Sequence, residues 1–275
     1  MTIAVAVRTE SAVVFEADSK ITTSGVVGYE EDGRPRWVEQ TYDNATKVVH
    51  DRSQILMAMV AGHANIVLVT ATDFVSTHSL ELAGSVEEQD QQVANLVGAM
   101  VARKRDYWAT TQVPSEKWPG PTVILAAPRP RENIPRVWRV RLDGPDSKVS
   151  EILTEPGIRL EGSYDEVYGL LFGYEPTVLQ GICDELGVPA ERLGEAITNL
   201  KVLRPFDKLN LWAMPIQDAI DIAVFLANVQ VEMDRFLPGT PACGGPIDVM
   251  VLQMAPTPGI LAYPGKVLHH PQVRG

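Results

Sequence analysis

The chain has 275 residues and a mass of 30.1 kDa, with 45% hydrophobic and 21% charged residues, which predicts one large domain with a sizeable core. Its net charge of −11 and pI of about 4.9 argue against nucleic-acid binding. Two cysteines without metal-type spacing, a start without the positive segment of a signal peptide and no apolar run of about 18 residues predict a cytoplasmic protein that spans no membrane.

The first 62 residues have the patterns of strands joined by polar turns. Alternating and β-branched apolar residues predict a hairpin over 2–8 and 12–17, and then two single strands over 47–50 and 54–61. Between them, residues 26–41 predict a second hairpin, because an Asp-Gly pair favours a tight turn at its centre. Gly62 ends this run of strands.

Helical spacing of apolar residues begins after Gly62. It predicts helices over 63–80 and 86–108, the second with acidic residues in its first turn and arginines near its end, which suits the helix dipole. Strand patterns return over 121–127, 136–142 and 149–160. The middle of the chain thus predicts two helices followed by three strands.

The last third of the chain is mainly helical by pattern. Pro215 is favourable in a first helical turn, and the apolar residues that follow on all sides predict a helix buried on most of its surface. The predicted elements are helices at 164–173, 176–187, 190–200 and 215–236, a strand at 247–254, and a Pro/Gly-rich extension at 255–275. This order predicts a single layered α+β domain over 1–254.

Several short motifs follow one another along the chain. Ala17-Asp18-Ser19-Lys20-Ile21-Thr22 ends the second predicted strand, and Asp18 lies 16 residues after Thr2. Lys47 opens a later strand, and Ala61-Gly62 ends the next one. The other motifs are Gly162-Ser163 before a helix and Cys243-Gly244-Gly245-Pro246-Ile247-Asp248-Val249 at the last strand. As an ordered set they resemble the proteasome β-subunit family of N-terminal nucleophile hydrolases.

The resemblance spans about residues 2–254 and implies the family's fold, a four-layer αββα sandwich. The chain departs from the family pattern in an added hairpin at about 26–41, extra helical sequence at about 174–213 and a longer C-terminal extension. It also has Thr240-Pro241-Ala242-Cys243 where the family has Asp-x-x-Ser. The accessory acid and serine are therefore not expected at those positions, which predicts a slow enzyme.

By this resemblance, Thr2 is the nucleophile once Met1 is removed. Its free α-amine, with a reference pKa of about 7.7–8.0, would accept the hydroxyl proton. Lys47 would stabilise the alkoxide and Asp18 would keep Lys47 charged. Gly62 would donate its backbone N–H to the oxyanion, and Ser163 completes the catalytic set that the resemblance implies.

The resemblance also implies a substrate pocket beside Thr2. Its lining would comprise Ile21, Ala45, Val49, Val60 and Ala64, with Thr22 offering backbone groups to an extended peptide. Because all five lining residues are apolar, we expect a medium or large apolar side chain before the cleaved bond.

The resulting hypothesis is a threonine-type peptidase that cleaves peptides or unfolded proteins within a homo-oligomeric ring, which an ATP-dependent unfoldase would feed. No cofactor, metal, nucleic acid or membrane is expected to take part. Two alternatives stay open from the sequence: a non-catalytic structural ring subunit, favoured by the Thr240–Cys243 departure, and an acyl or peptidyl transferase that starts from the same nucleophile.

Overall fold

A computed structural model of the chain describes residues 2–29, 34–62, 70–110, 115, 120–189, 192, 206–254 and 256–263. Within these ranges the chain is a mixed α/β structure with twelve strands and five helices. The strands form two five-stranded antiparallel sheets and one separate two-stranded sheet. No helix among the described residues combines the length and the apolar character needed to cross a membrane.

The first sheet contains the start of the chain at its centre. Its strands are β1 (Ile3–Arg8), β2 (Ala12–Asp18), β10 (Gly157–Gly162), β11 (Ile247–Gln253) and β12 (Gly259–Tyr263). They lie in the order β10-β1-β2-β11-β12, and Ala4 pairs with Ala17 across the first hairpin. All residues of β1 and β2 are buried, which explains their continuous apolar sequence: both faces of the sheet are covered.

The second sheet follows the order β5-β6-β7-β8-β9. Its strands are β5 (Val48–His50), β6 (Met57–Gly62), β7 (Pro121–Pro128), β8 (Pro135–Arg141) and β9 (Lys148–Ile152). The remaining strands are β3 (Ile21–Tyr29) and β4 (Pro35–Tyr42), which follow directly on β2. Within the described ranges they pair with each other alone, as a hairpin.

Five helices cover the sheets: α1 (Ala71–Thr77), α2 (Val86–Trp108), α3 (Asp165–Phe172), α4 (Pro176–Leu186) and α5 (Ile216–Asp234). The longest, α2, begins after Ser85, whose hydroxyl accepts a hydrogen bond from the Glu88 backbone N–H. Helix α5 packs across β1 and β2 and also contacts α3. A short 3₁₀ turn, Phe206–Lys208, precedes α5.

Three hydrophobic clusters hold these elements together. Alternate residues of β1, such as Val5 and Val7, pack with α3 and α5 in one cluster. Alternate residues of β6 and β7, such as Val60 and Leu125, pack with α1 and α2 in a second. The opposite faces of both sheets, including Phe15 and Met59, meet in the third. The period of two along each strand therefore divides its side chains between two clusters.

Several predicted elements are confirmed. The first hairpin, the second hairpin and the helix over 86–108 occur as expected, although the second hairpin already begins at Ile21 and its Asp32-Gly33 turn lies outside the described residues. Most of the predicted helix 190–200 also lies outside them, and so does the end of the C-terminal extension. The part of that extension that is described, β12, pairs with β11 as a fifth strand.

The predicted strand 149–160 is wrong in one respect: it is two strands, β9 and β10, which belong to different sheets. Leu153 adopts a positive φ of 49° between them, and Pro156 follows shortly after. A left-handed residue and a proline break an extended run, so the chain leaves one sheet and enters the other there.

Two helix predictions also need correction. The helix predicted over 63–80 covers only Ala71–Thr77 among the described residues, because Thr70 and His78 are extended at its two ends. The helix predicted over 215–236 ends at Asp234 and is buried on one face, with Phe225 on the other face 55% exposed. Apolar residues all around a helix therefore did not mean burial all around it.

The strand predicted over 54–61 begins only at Met57. Asp51 is fully buried, and its carboxylate accepts hydrogen bonds from the backbone N–H groups of Ser53, Ile55 and Leu56. This arrangement holds residues 51–56 in a turn, as Asp commonly does when it bonds to nearby backbone.

Candidate active site

Thr2 is fixed at the start of β1 by its own backbone. The Ser163 backbone N–H donates to the Thr2 carbonyl oxygen at 2.7 Å. Thr2 as a whole residue is only 2% exposed. Gly162 lies so close that a Cβ at this position would be 1.9 Å from that oxygen, and its φ is +90°. Glycine at 162 is therefore required both by conformation and by space, and it brings β10 against Thr2.

Lys47 reaches Thr2 from the other sheet. Its Nζ donates to Thr2 Oγ1, to Asp18 Oδ1 at 2.8 Å and to the carbonyl oxygen of Lys20. The side chain is 3% exposed, and its backbone carbonyl accepts from Val60 at 2.9 Å, which ties it to β6. The ammonium group is thus held against a threonine hydroxyl, with a carboxylate on its other side.

Asp18 is fully buried at the end of β2 and accepts several hydrogen bonds. Besides Lys47, the donors are the backbone N–H groups of Ile3 at 3.2 Å, Lys20 at 3.3 Å and Gly244 at 2.9 Å. Burial raises the pKa of this carboxyl, while Lys47 and the backbone donors limit the rise. The contacts orient the carboxylate towards Lys47.

The loop before β11 connects Asp18 to helix α5 through hydrogen bonds. The backbone N–H of Cys243 donates to Asp234 on α5 at 2.8 Å, and the next N–H, of Gly244, donates to Asp18. Gln230, one turn earlier, donates to the other Asp234 oxygen at 3.0 Å. Two consecutive amides therefore connect two buried carboxylates. Burial raises the pKa of the Cys243 thiol, with Asp18 and Asp234 adding to the effect, so the thiol is protonated at neutral pH.

A further buried carboxyl, that of Glu16, lies next to this cluster on β2. Glu16 is 0% exposed, and among the described residues neither of its oxygens has a hydrogen-bond partner. It pairs with Val5 and Val249, which belong to the cluster beneath α5. Burial, and after it the nearby Asp18, raises the pKa of Glu16 well above its ordinary value, which favours the neutral acid.

A cavity of about 270 Å³ opens beside Lys47. Of the residues predicted to form the substrate pocket, Ile21, Ala45 and Val60 line it. Its other described lining residues are Thr46, Lys47, Thr70, Thr72 and Asp73. The cavity is therefore more polar than the sequence predicted, because the start of α1 contributes two hydroxyls and a carboxylate.

The remaining predicted site residues are less directly placed. Val49 packs against the cluster beneath α1 and α2 and does not line the cavity. Thr22 lies on β3 opposite Thr41, and Ala64 falls outside the described residues. Gly62 ends β6 with a φ of +75°, and a Cβ at this position would meet no atom of the described residues within 4 Å, so the backbone conformation is what favours glycine there.

Comparisons with known proteins concern the fold. No protein-family model matches the chain, and no curated protein does. Among solved structures, the (Gly-1) mutant of Anbu from Hyphomicrobium sp. strain MC1 matches 96% of this chain over 88% of its own, at 13% identity and a TM-score of 0.51. The chain has the Anbu fold.

Two further Anbu structures match equally well. Anbu (ancestral beta-subunit) from Yersinia bercovieri matches 95% of this chain over 87% of its own, with 15% identity and a TM-score of 0.50. A structure of the helical assembly of the Anbu complex from Pseudomonas aeruginosa matches 95% of this chain over 86% of its own, with 14% identity and a TM-score of 0.50. Identities this low establish a shared fold, so residue roles must come from the geometry.

Sequence reasoning missed several contributors to this site, among them Thr70, Asp73 and Asp234. Thr70 and Asp73 form the Thr-x-x-Asp pattern of a helix N-terminus, and Thr70 Oγ1 accepts from the Asp73 backbone N–H at 3.0 Å. That signal marks where α1 starts, but not which cavity it borders. Asp234 carries no local signal, because its partner Cys243 is nine residues away beyond the end of the helix.

Proposed function

We propose that this chain is a threonine-type peptidase that hydrolyses peptide bonds through an acyl-enzyme on Thr2, after Met1 has been removed. The observation that carries the proposal is the contact of the Lys47 ammonium with the Thr2 hydroxyl, at a buried position where Asp18 accepts from the same ammonium. A buried ion pair contributes little net stability, because the desolvation of its two charges offsets their attraction. The contact of this pair with a threonine hydroxyl is therefore better explained by a catalytic role than by a structural one.

The proposed reaction begins with the free α-amine of Thr2, which takes the proton from Oγ1 as that oxygen attacks the carbonyl carbon of the substrate. Lys47 stabilises the developing alkoxide, and the Gly62 N–H stabilises the oxyanion, a role typically worth about 10²–10³ in rate. The C–N bond breaks, and the departing amine takes the proton. Water then attacks the ester, releases the acid and returns the proton to Thr2.

The proposed fold of the domain is a four-layer αββα sandwich. Two observations support it: one cluster joins the two sheets, and each sheet has a second cluster with its own helices, α3 and α5 on one side and α1 and α2 on the other. We include residues 1–254 in this domain, to which β12 adds an edge strand.

We further propose that the protein works as a cytoplasmic homo-oligomer that encloses its sites, with an ATP-dependent unfoldase supplying unfolded protein. The Pseudomonas aeruginosa Anbu structure is described as a helical assembly, which supports assembly into larger particles for a chain of the same fold. Such a compartment would restrict substrates to extended chains.

The decisive experiment combines intact mass with active-site acylation. The mass of the purified protein is expected to lack Met1, and a Thr-directed acylating probe should add one label, located on Thr2 by peptide mapping. The Thr2→Ala variant should take up no label. Labelling that persists in Thr2→Ala, or a native protein that has lost Met1 and takes no label, would contradict the proposal.

A second candidate function is a non-catalytic ring subunit. The sequence Thr240-Pro241-Ala242-Cys243 favours it, since the Asp and Ser of the family pattern are missing there. Against it, Asp234 supplies a buried carboxylate to the same loop from α5. Assembly without labelling would favour this candidate. An acyl transferase would instead form a new amide when an amine acceptor is added.

A further inference from the structure

The cavity beside Lys47 contains two charged side chains in different states. Lys47 is buried, and its ammonium donates to Thr2, to Asp18 and to the Lys20 carbonyl. Asp73 also lines the cavity, but its side chain is exposed and makes no ion pair or hydrogen bond with any described residue. The positive charge of Lys47 is therefore neutralised by the buried Asp18 carboxylate, whereas the negative charge of Asp73 has no such partner among the described residues.

The hydroxyl groups near Asp73 are already committed to the protein. Thr72 Oγ1 donates to the Thr46 carbonyl at 3.2 Å and lies 2.9 Å from Thr70 Oγ1. Thr70 Oγ1 in turn accepts from the Asp73 backbone N–H. These contacts fix the start of α1 against the cavity and leave the Asp73 carboxylate as its available charged acceptor among the described lining residues.

Three further lining residues are suited to an aliphatic chain. Ile21, Ala45 and Val60 present only apolar side chains. A lysine or arginine side chain has an apolar stem and a charged end, so it can bury the stem along such a surface while the charged end approaches the Asp73 carboxylate. A glutamate in the same place would meet Asp73 as a like charge.

We propose that Asp73 makes this cavity selective for cations, so that peptides with lysine or arginine before the cleaved bond are the preferred substrate class. The inference rests on the proposed function for the reaction itself, and it replaces the purely apolar preference expected from the sequence.

The test compares peptide substrates that differ only in lysine or its uncharged isostere norleucine before the scissile bond. Native protein should give a higher kcat/KM for lysine by about fivefold, the size expected for a partly exposed ion pair. In Asp73→Asn this ratio should fall towards one. The Thr70 cap survives this change, since it uses the Asp73 backbone. Glu88→Gln is the matched control, because Glu88 holds the same position after its own cap, Ser85, on α2.

Binding separates this inference from the proposed function. In the Thr2→Ala variant, which forms no acyl-enzyme, calorimetry should show tighter binding of a peptide ending in lysine than of one ending in norleucine, and Asp73→Asn should remove the difference. If native protein cleaves neither peptide but the binding difference is present, the peptidase proposal fails and the cation site stands. If norleucine is bound or cleaved as well as lysine, the cation site is wrong.

Discussion

At the residue scale, the site depends on a few side chains whose charges are balanced inside the protein. Asp18, Lys47 and Thr2 lie in one hydrogen-bonded chain at less than 5% exposure each. Buried charges of this kind cost desolvation energy, and each becomes unfavourable when its partner is removed. Changes to the three residues should therefore affect activity as a unit.

The first prediction follows from this unity. Thr2→Ala, Asp18→Asn and Lys47→Ala should each reduce kcat by at least about 10³, and the double variants should be little worse than the singles, because groups that serve one step are not additive. Peptide turnover of purified variants measures this. Additive losses would show that the three residues act separately.

A second prediction concerns Glu16 and pH. Because burial raises the folded-state pKa of Glu16, its contribution to stability is complete below the ordinary pKa of a glutamate and is lost as pH rises through the folded pKa. Glu16→Gln should therefore be more stable than native protein at pH 8, by a margin that shrinks towards pH 5. Thermal unfolding at both pH values measures the margin.

The control for Glu16 is Glu185→Gln on α4, since Glu185 is exposed and should show no such trend. A margin for Glu16→Gln that stays constant between pH 5 and pH 8 would mean that Glu16 is ionised in the folded protein. Its carboxylate would then need a partner that the described residues do not provide.

At the element scale, the turn between β10 and α3 fixes the backbone of Thr2. Gly162→Ala would place a methyl group against the Thr2 carbonyl oxygen, in a backbone conformation that alanine disfavours. We expect a loss of about 1–3 kcal/mol in unfolding free energy from the strain, and a larger loss of activity because Thr2 is displaced.

Gly173 provides a matched control for Gly162. Its φ of +82° is similar, but a Cβ there would meet no atom within 4 Å. Gly173→Ala should therefore lose stability without losing turnover per folded molecule. Chemical unfolding and peptide cleavage of both variants test this. Equal losses of activity in the two variants would show that Gly162 has no specific role in placing Thr2.

Elements differ in how far their sequences predicted them. Helix α2 was predicted correctly over Val86–Trp108, because its cap at Ser85, its acidic first turn and its apolar face are all signals within a few residues. By contrast, the sequence pattern predicts β9 and β10 as one strand, because the same β-type pattern continues through both. Which sheet a strand joins depends on distant partners, β8 and β1, and its own sequence does not encode that choice.

At the scale of the whole molecule, the proposed compartment predicts a particle larger than one chain. Native mass spectrometry should give a multiple of the subunit mass, and Thr2→Ala should assemble to the same mass, since Thr2 is buried within its own subunit. A monomer that retains full peptidase activity would contradict the compartment, although not the chemistry at Thr2.

The sequence by itself determined the parts of this protein that rest on short-range order. The first hairpin sets the register in which Ala4 faces Ala17, so Thr2 and Asp18 come to the same end of the first sheet. The hairpin depends on its turn and its strand period, which operate over a few residues. Lys47 and Gly162-Ser163 were indicated by the resemblance to the proteasome β-subunit family and not by local order.

Only the tertiary structure decided which distant groups complete the site. Lys47 meets Thr2 across 45 positions of sequence, and the Gly244 N–H meets Asp18 across 226. The placement of Asp73 on the cavity and of Asp234 beneath Cys243 likewise depends on how α1 and α5 pack onto different sheets. Apolar packing fixes those positions, and a local sequence pattern does not specify which polar groups it brings together.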